Sequence, residues 1–200
     1  MSESPVSNLL ADQTALIERA QSGDLAAFDQ LVLRHQQEVF AVALRMLGDR
    51  DEAQDVAQDA FVRAYRAIGT FRREAKLSTW LVSITMNLCR NRRRWWARRR
   101  RIIVASLDDP LDMEEGTVEQ EVADPAPTPG QAAQHHERHQ LLMGALQQLD
   151  EAHRSVIVLR DIQEHSYEEI AQMIGCQVGT VKSRLNRARL QLRALLDGKI

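Results

Sequence analysis

An all-α chain, built as two small helical domains joined by an acidic flexible linker, is predicted by three observations. Apolar residues recur at helical spacing over most of the sequence. Glycine and proline are scarce, 9 and 5 in 200 residues, and they cluster where those runs break. The stretch from Ser106 to Gly130 differs in kind: it is acidic, and in its closing "DPAPTPG" prolines block a helix. Such a length holds one or two small domains, and 44% hydrophobic residues suffice for packed cores. The predicted division is 1–101, a linker over 102–133, and 134–200.

The elements follow in order. "TALIERAQ" (Thr14–Gln21) reads as a short helix closed by Ser22-Gly23. Asp24 is the N-cap of a long amphipathic helix ending near Leu47-Gly48, with Leu31, His35, Val39, Val42 and Met46 along one stripe. The next helix spans Asp51–Ile68, and Gly69 ends it. Ser78 or Thr79 then caps a helix through "WLVSITMNLCRNRRRWW". Beyond the linker, helices are predicted at His136–Leu149 and Ala152–Ile162. No internal repeat is found.

The formal net charge of -2 hides a strong segregation. Arg72 to Arg101 holds eleven Lys/Arg and one acid, Ser106 to Asp124 eight acids and no base, and Val178 to Leu196 five bases and no acid. Two basic zones with an acidic one between them point to two contacts with a polyanion. Two cysteines far apart, Cys89 and Cys176, argue for a reduced, cytoplasmic setting rather than a disulfide framework. No signal peptide is expected, and no apolar run is long enough to insert in a membrane.

In "SYEEIAQMIGCQVGTVKSRLNRARLQLR", Ile170, Ala171 and Ile174 share one side of a short helix, and Gly175 permits a sharp turn. Val178, Val181, Leu185 and Ala188 form the buried stripe of a second helix. This is helix-turn-helix spacing. The outer face presents Lys182, Ser183, Asn186, Arg187, Arg189 and Arg193, groups able to meet base edges and phosphates in a major groove. A merely solvated helix would carry Glu–Lys pairs, and this one has no acid.

The first basic run has a second pattern. Trp80, Leu81, Ile84, Leu88 and Trp95 follow the buried spacing, while Asn87, Asn91, Arg94 and Arg98 form a polar-to-basic stripe. Asparagine can read the exposed edge of an unpaired base, and aromatic side chains can stack on it. For Asn87 and Asn91, base reading and simple electrostatic holding both remain open. The Arg98–Arg101 end reads as an electrostatic arm.

"DEAQDVAQDAFVRAYRAIGTFR", "LSTWLVSITMNLCRNRRR" and "RDIQEHSYEEIAQMIGCQVGTVKSRLNRAR" together resemble the extracytoplasmic-function (group IV) sigma factors of bacterial RNA polymerase, over nearly the whole chain. The resemblance implies a sigma-two domain, a loose linker and a sigma-four domain. It implies a promoter-specificity subunit for a stress or envelope-type regulon, not an enzyme, with no cofactor, metal or small-molecule substrate. The implied partners are core RNA polymerase (the clamp coiled coil of the largest subunit, and the flap), promoter DNA and an anti-sigma factor. Asp55, Gln58 and Asp59 fall on the polymerase-binding helix, where Phe61 and Tyr65 are expected to pack inward. Asn87 matches the pocket for a flipped base of the minus-ten element, with Arg90, Asn91, Arg94 and Arg98 beside or beyond it. Arg160, Tyr167, Glu168, Thr180, Lys182, Ser183, Asn186, Arg187 and Arg189 are the candidates for the minus-thirty-five element. Lys182 stands where many relatives carry Arg, and a lysine lacks the fork that pairs a guanine bidentately. The acidic linker is expected to mimic nucleic acid in the polymerase cleft.

The rival reading is an autonomous helix-turn-helix regulator, which needs only the second DNA surface. His135, His136 and His139 lie at a spacing that suits a shared ion, but no Cys or carboxylate pattern completes the set. A solvated helix start is the better reading. Whether Cys89, Cys176 or the histidines have a redox or metal role is left open by the sequence, as are the promoter sequence and inducing signal.

Overall fold

The computed structural model describes residues 5–106 and 129–197, and among them there are helices and no strand. The chain runs α1 (Pro5–Gln21), α2 (Leu25–Leu47), α3 (Arg50–Ala67), a 3-10 turn (Ile68–Thr70) and α4 (Leu77–Ser106). Then come α5 (Pro129–Gln148), α6 (Glu151–Ile157), a π-helical turn (Val158–Ile162), α7 (Tyr167–Ile174) and α8 (Val178–Leu196). The eight acids of the expected linker lie outside the described residues. At its margins α4 runs on to Ser106 and α5 starts at Pro129. Proline suits a first helical position, where its missing N–H has no intrahelical partner to lose.

Aspartates start three of these helices. Asp24 accepts from the Ala27 N–H (3.1 Å), Asp49 from Glu52 (2.8 Å) and Asp150 from His153 (2.9 Å), each meeting an otherwise orphaned donor of the first turn. Gly48 ends α2 in the left-handed region (φ 78°) that its lack of a Cβ permits. At α4 the predicted cap is wrong. The helix begins at Leu77, so Ser78 and Thr79 lie inside it, and Thr79 is buried with its hydroxyl donating to Glu169 (3.3 Å).

In the first bundle, α2 packs against α1, α3 and α4. Leu31, Val39, Val42 and Met46 of the predicted stripe are buried together with Val56, Ala60, Leu81 and Met86, while His35 is half-buried beside Glu38 (3.5 Å). In the second bundle α8 lies against α6, α7 and α5, burying Val181, Leu185 and Ala188. The two bundles touch. α5 and α6 reach the C-terminal end of α2, and α7 reaches the start of α4.

Arg154 of α6 occupies that seam, fully buried. Its guanidinium donates to the carbonyls of Leu146 (2.7 Å), Gln147 (2.6 Å), Leu149 (2.9 Å) and, across the seam, Met46 (2.6 Å), and to the Gln147 side chain. Gln147 in turn donates to Arg45 O (3.0 Å), and Arg93 to Met46 O (3.1 Å). The end of α2, whose last carbonyls lack helical partners, is thus capped by side chains from elsewhere in the chain.

Candidate nucleic-acid and polymerase interfaces

The first half of α4 is core: Leu77, Leu81, Val82, Met86, Leu88 and Cys89 are buried. Burial pushes the Cys89 thiol up to about 12, which keeps it protonated and inert as a thiolate. Asn87, Asn91, Arg94 and Arg98 are all exposed. At about 3.6 residues per turn they fall within an arc of roughly 60°, one uncovered stripe along the helix. Arg90 is half-buried beside it, 3.5 Å from Glu151 of α6. Arg92 turns the other way, to Glu52 (3.2 Å) and Asp55 (3.7 Å) of α3.

The expectation that Trp95 is buried fails. Trp80 and Ile84 are half-buried, and Leu81 and Leu88 are buried, but Trp95 is 44% exposed and Trp96 40%. Helix periodicity places Trp95 on the inward side, but the helix outruns its bundle. The last inward contact is that of Arg93, and every side chain from Arg94 to Arg99 is exposed.

The helix-turn-helix forms as predicted. Ser166 caps α7 in a reciprocal capping box with Glu169, whose carboxyl is held below the usual range chiefly by the Ser166 backbone N–H. Gly175 takes the left-handed turn at φ 67°. On α8, Lys182, Ser183, Asn186, Arg187 and Arg193 are exposed, and Thr180 is half-buried with its carbonyl accepting from the Ser183 hydroxyl (3.0 Å). Glu168 is exposed in the first turn of α7. Tyr167 gathers two of the predicted cations. The Arg160 guanidinium stands 4.7 Å from its ring centroid and the Lys182 ammonium 5.4 Å. Arg160 is fixed further by donating to His165 O (2.8 Å). Arg189 is engaged within the domain, its Nε donating to Asp161 (2.9 Å) with the second carboxylate oxygen also contacted.

On α3, Asp55, Gln58 and Asp59 are exposed together. Gln58 borders an open apolar groove of about 1020 Å³ between α2 and α3, lined by Phe28, Val32, Phe40, Phe61 and Val62. Phe61 is half-buried as expected, but Tyr65 is not inward. It is 44% exposed, with its ring edge-on to Phe28 at 5.1 Å. α3 packs on α2 through alanines and valine (Ala53, Val56, Ala57, Ala60, Ala64), while Tyr65, beside Ala64, lines the open groove instead.

Sequence reasoning missed Arg154, although a lone basic residue just ahead of the apolar run "SVIVL" was a signal for it. Among the described residues no group of three or more His, Cys, Asp or Glu is placed to hold a metal ion. No described helix is long and apolar enough to cross a membrane.

Comparison with known proteins identifies the two helical regions. Residues 31–102 match the family described as Sigma-70 region 2, and residues 139–192 that described as Sigma-70, region 4. The chain is 38% identical over 174 residues to the RNA polymerase sigma-H factor of Pseudomonas aeruginosa, covering 87% of this chain and 88% of that one. It is 36% identical over 184 residues to the ECF RNA polymerase sigma-E factor of Escherichia coli K12, covering 92% and 93%. Among solved structures it is similar to the sigma factor RpoE of Bartonella quintana in complex with the anti-sigma factor NepR (TM-score 0.62, 28% identity, 86% and 98% covered). It is also similar to CnrH in complex with the cytosolic domain of CnrY (TM-score 0.60, 32% identity, 95% and 99% covered). With both regions matched in order, and relatives of this identity aligned over most of their length, the chain belongs to the extracytoplasmic-function (ECF) RNA polymerase sigma factors of the sigma-70 family.

Proposed function

We propose that this chain is a promoter-specificity subunit that divides the promoter between two surfaces. The stripe of α4 (Asn87, Asn91, Arg94, Arg98) takes the opened minus-ten element. The outer face of α8, with the Arg160–Tyr167–Lys182 cluster, takes the minus-thirty-five duplex. The observation that carries this reading is the presence of two separate, exposed, basic faces, the first of them set with amides. Asp55, Gln58 and Asp59, beside the apolar groove, are the surface for the polymerase clamp. An anti-sigma factor is the further partner, in keeping with the complexes of the two structural relatives. No catalytic step belongs to this role, and its place of action is that of RNA polymerase.

The test is whether sequence-specific DNA binding requires core polymerase. A sigma factor gives promoter-specific complexes only with core, whereas an autonomous regulator footprints its site alone. In the holoenzyme, Asn87→Ala is expected to impair permanganate reactivity of the melted region on duplex promoters more than on pre-melted ones. Equal defects on both, traced to weaker core binding, would remove Asn87 from the base pocket.

A further inference from the structure

We propose that Trp95 and Trp96, together with Arg99, form a stacking platform for an unpaired base of the DNA strand lying along α4. This rests on the reading of the Asn87–Arg98 stripe as a strand-binding surface. Three observations carry it. Both indoles are exposed where helix spacing would have buried one of them, so they are not core. They are also not independent: the ring centroids stand 4.8 Å apart, edge to face, and the Arg99 guanidinium lies 5.1 Å from the Trp95 centroid. The result is one aromatic and guanidinium cluster that offers planes in two orientations, and both kinds of plane stack on unpaired bases. Finally, the surroundings are cationic. Arg94, Arg98 and Arg99 are exposed within one turn of the pair, and no acid occurs between Glu74 and Ser106.

Placement along the helix narrows the ligand. Trp95 is four residues beyond Asn91 and eight beyond Asn87, so its Cα lies about 12 Å along the axis from that of Asn87. That is about three to four nucleotides at the 3.4 Å rise per strand of duplex DNA. A strand whose base enters at Asn87 therefore reaches the indoles a few nucleotides away. An exposed aromatic pair contributes little to intact duplex, whose bases already stack on one another. It favours the opened strand, and so biases the equilibrium toward melting rather than toward binding in general. The occupant is single-stranded DNA, with no sequence preference demanded at that base because every base has a π-face.

The test uses the full-length chain carrying Trp80→Phe, which leaves Trp95 and Trp96 as the only tryptophans of the three in the sequence. A mixed-sequence single-stranded oligonucleotide is expected to quench their fluorescence, and its duplex form to quench it much less. In the wild-type background, Trp95→Ala and Trp96→Ala should each weaken single-strand binding by about 5- to 100-fold, the range for loss of one base–aromatic stack. Duplex affinity should stay unchanged, and Trp→Phe should restore most of the loss. Both positions are exposed, so circular dichroism should show intact folding. Asn87→Ala separates the two readings: if it spares the quench, the platform stands even where the base-pocket assignment fails. Equal losses on single strand and duplex would reduce the indoles to cover for a basic arm and overturn the proposal. So would an absent quench, or a blue shift with anionic phosphatidylserine vesicles in place of a DNA response.

Discussion

Arg154 gathers five hydrogen bonds inside the protein, and burial, with Arg93 adding to it, lowers its pKa to about 10. It remains charged near neutral pH, held by carbonyl dipoles rather than by a carboxylate. Arg154→Ala would remove all five of these bonds at once, although Met46 O keeps Arg93 and Leu146 O keeps the Leu149 N–H, and a loss of about 3 kcal/mol or more in urea denaturation is expected. Arg154→Lys should recover only part of it, because an ammonium has three donors and no fork. His165 behaves differently. It is buried, its Nε2 finds no partner, and burial lowers its pKa against the opposing pull of Glu169 and Glu38, with Lys76 adding to the lowering. Below about pH 6.5 the unfolded chain therefore binds more protons than the folded one, and stability falls with pH until the folded pKa is passed. His165→Gln should gain relative to the parent chain between about pH 7 and pH 5. A constant difference in denaturation midpoint across that range would remove the histidine as the cause.

At the scale of the element, α7 depends on its capping box. Ser166→Ala should cost about 1 kcal/mol in thermal or chemical unfolding. Glu169 would lose the Ser166 hydroxyl but keep the backbone N–H of residue 166 and the Thr79 hydroxyl of α4. On α8 the outward residues separate by their neighbours. Lys182 is fixed against the Tyr167 ring, whereas Arg187 stands on the open face. Lys182→Ala is expected to cost about 1–3 kcal/mol at one promoter position and to relax preference there, as a base reader would. Arg187→Ala should weaken all sequences alike and flatten the salt dependence, as a phosphate contact would. Titrations on point-mutated promoters at two salt concentrations distinguish them, and identical uniform losses for both would refute the distinction.

At the scale of the whole molecule, the seam between the bundles is built from polar groups at helix ends. The Arg154, Gln147 and Arg93 side chains converge on the end of α2, and Glu151 meets Arg90. Gly48 lies inside this junction. A Cβ there would stand 2.5 Å from the Gln147 Cδ, whereas one on Gly23, also at positive φ, meets nothing within 4 Å. Both substitutions by alanine carry the left-handed backbone cost of roughly 1–2 kcal/mol. Only Gly48→Ala should also push the Gln147 side chain off Arg45 O and Arg154, seen as a larger drop in denaturation midpoint at unchanged helix content. An equal drop for Gly23→Ala would show that backbone strain, not the seam, is responsible.

The sequence by itself determined the helices, the Asp24 cap, the turn at Gly175 and the outward face of α8. Each depends on residues within a turn or two of one another: hydrophobic period, capping chemistry, and a glycine where φ is positive. It also carried the family, because the spacing of the helix-turn-helix residues is local. Only the tertiary structure decided which periodic positions find a partner. Trp95 has the inward phase of α4, but among the described residues no helix lies opposite it. Tyr65 lines the open groove between α2 and α3, edge-on to Phe28, rather than the core. Arg154 is drawn in because carbonyls of the α5–α6 turn and of the end of α2 meet there. Periodicity states which way a side chain points. Burial depends on what another part of the chain brings to that side, and contacts such as that between Met46 and Arg154 join residues too far apart for any local pattern to announce.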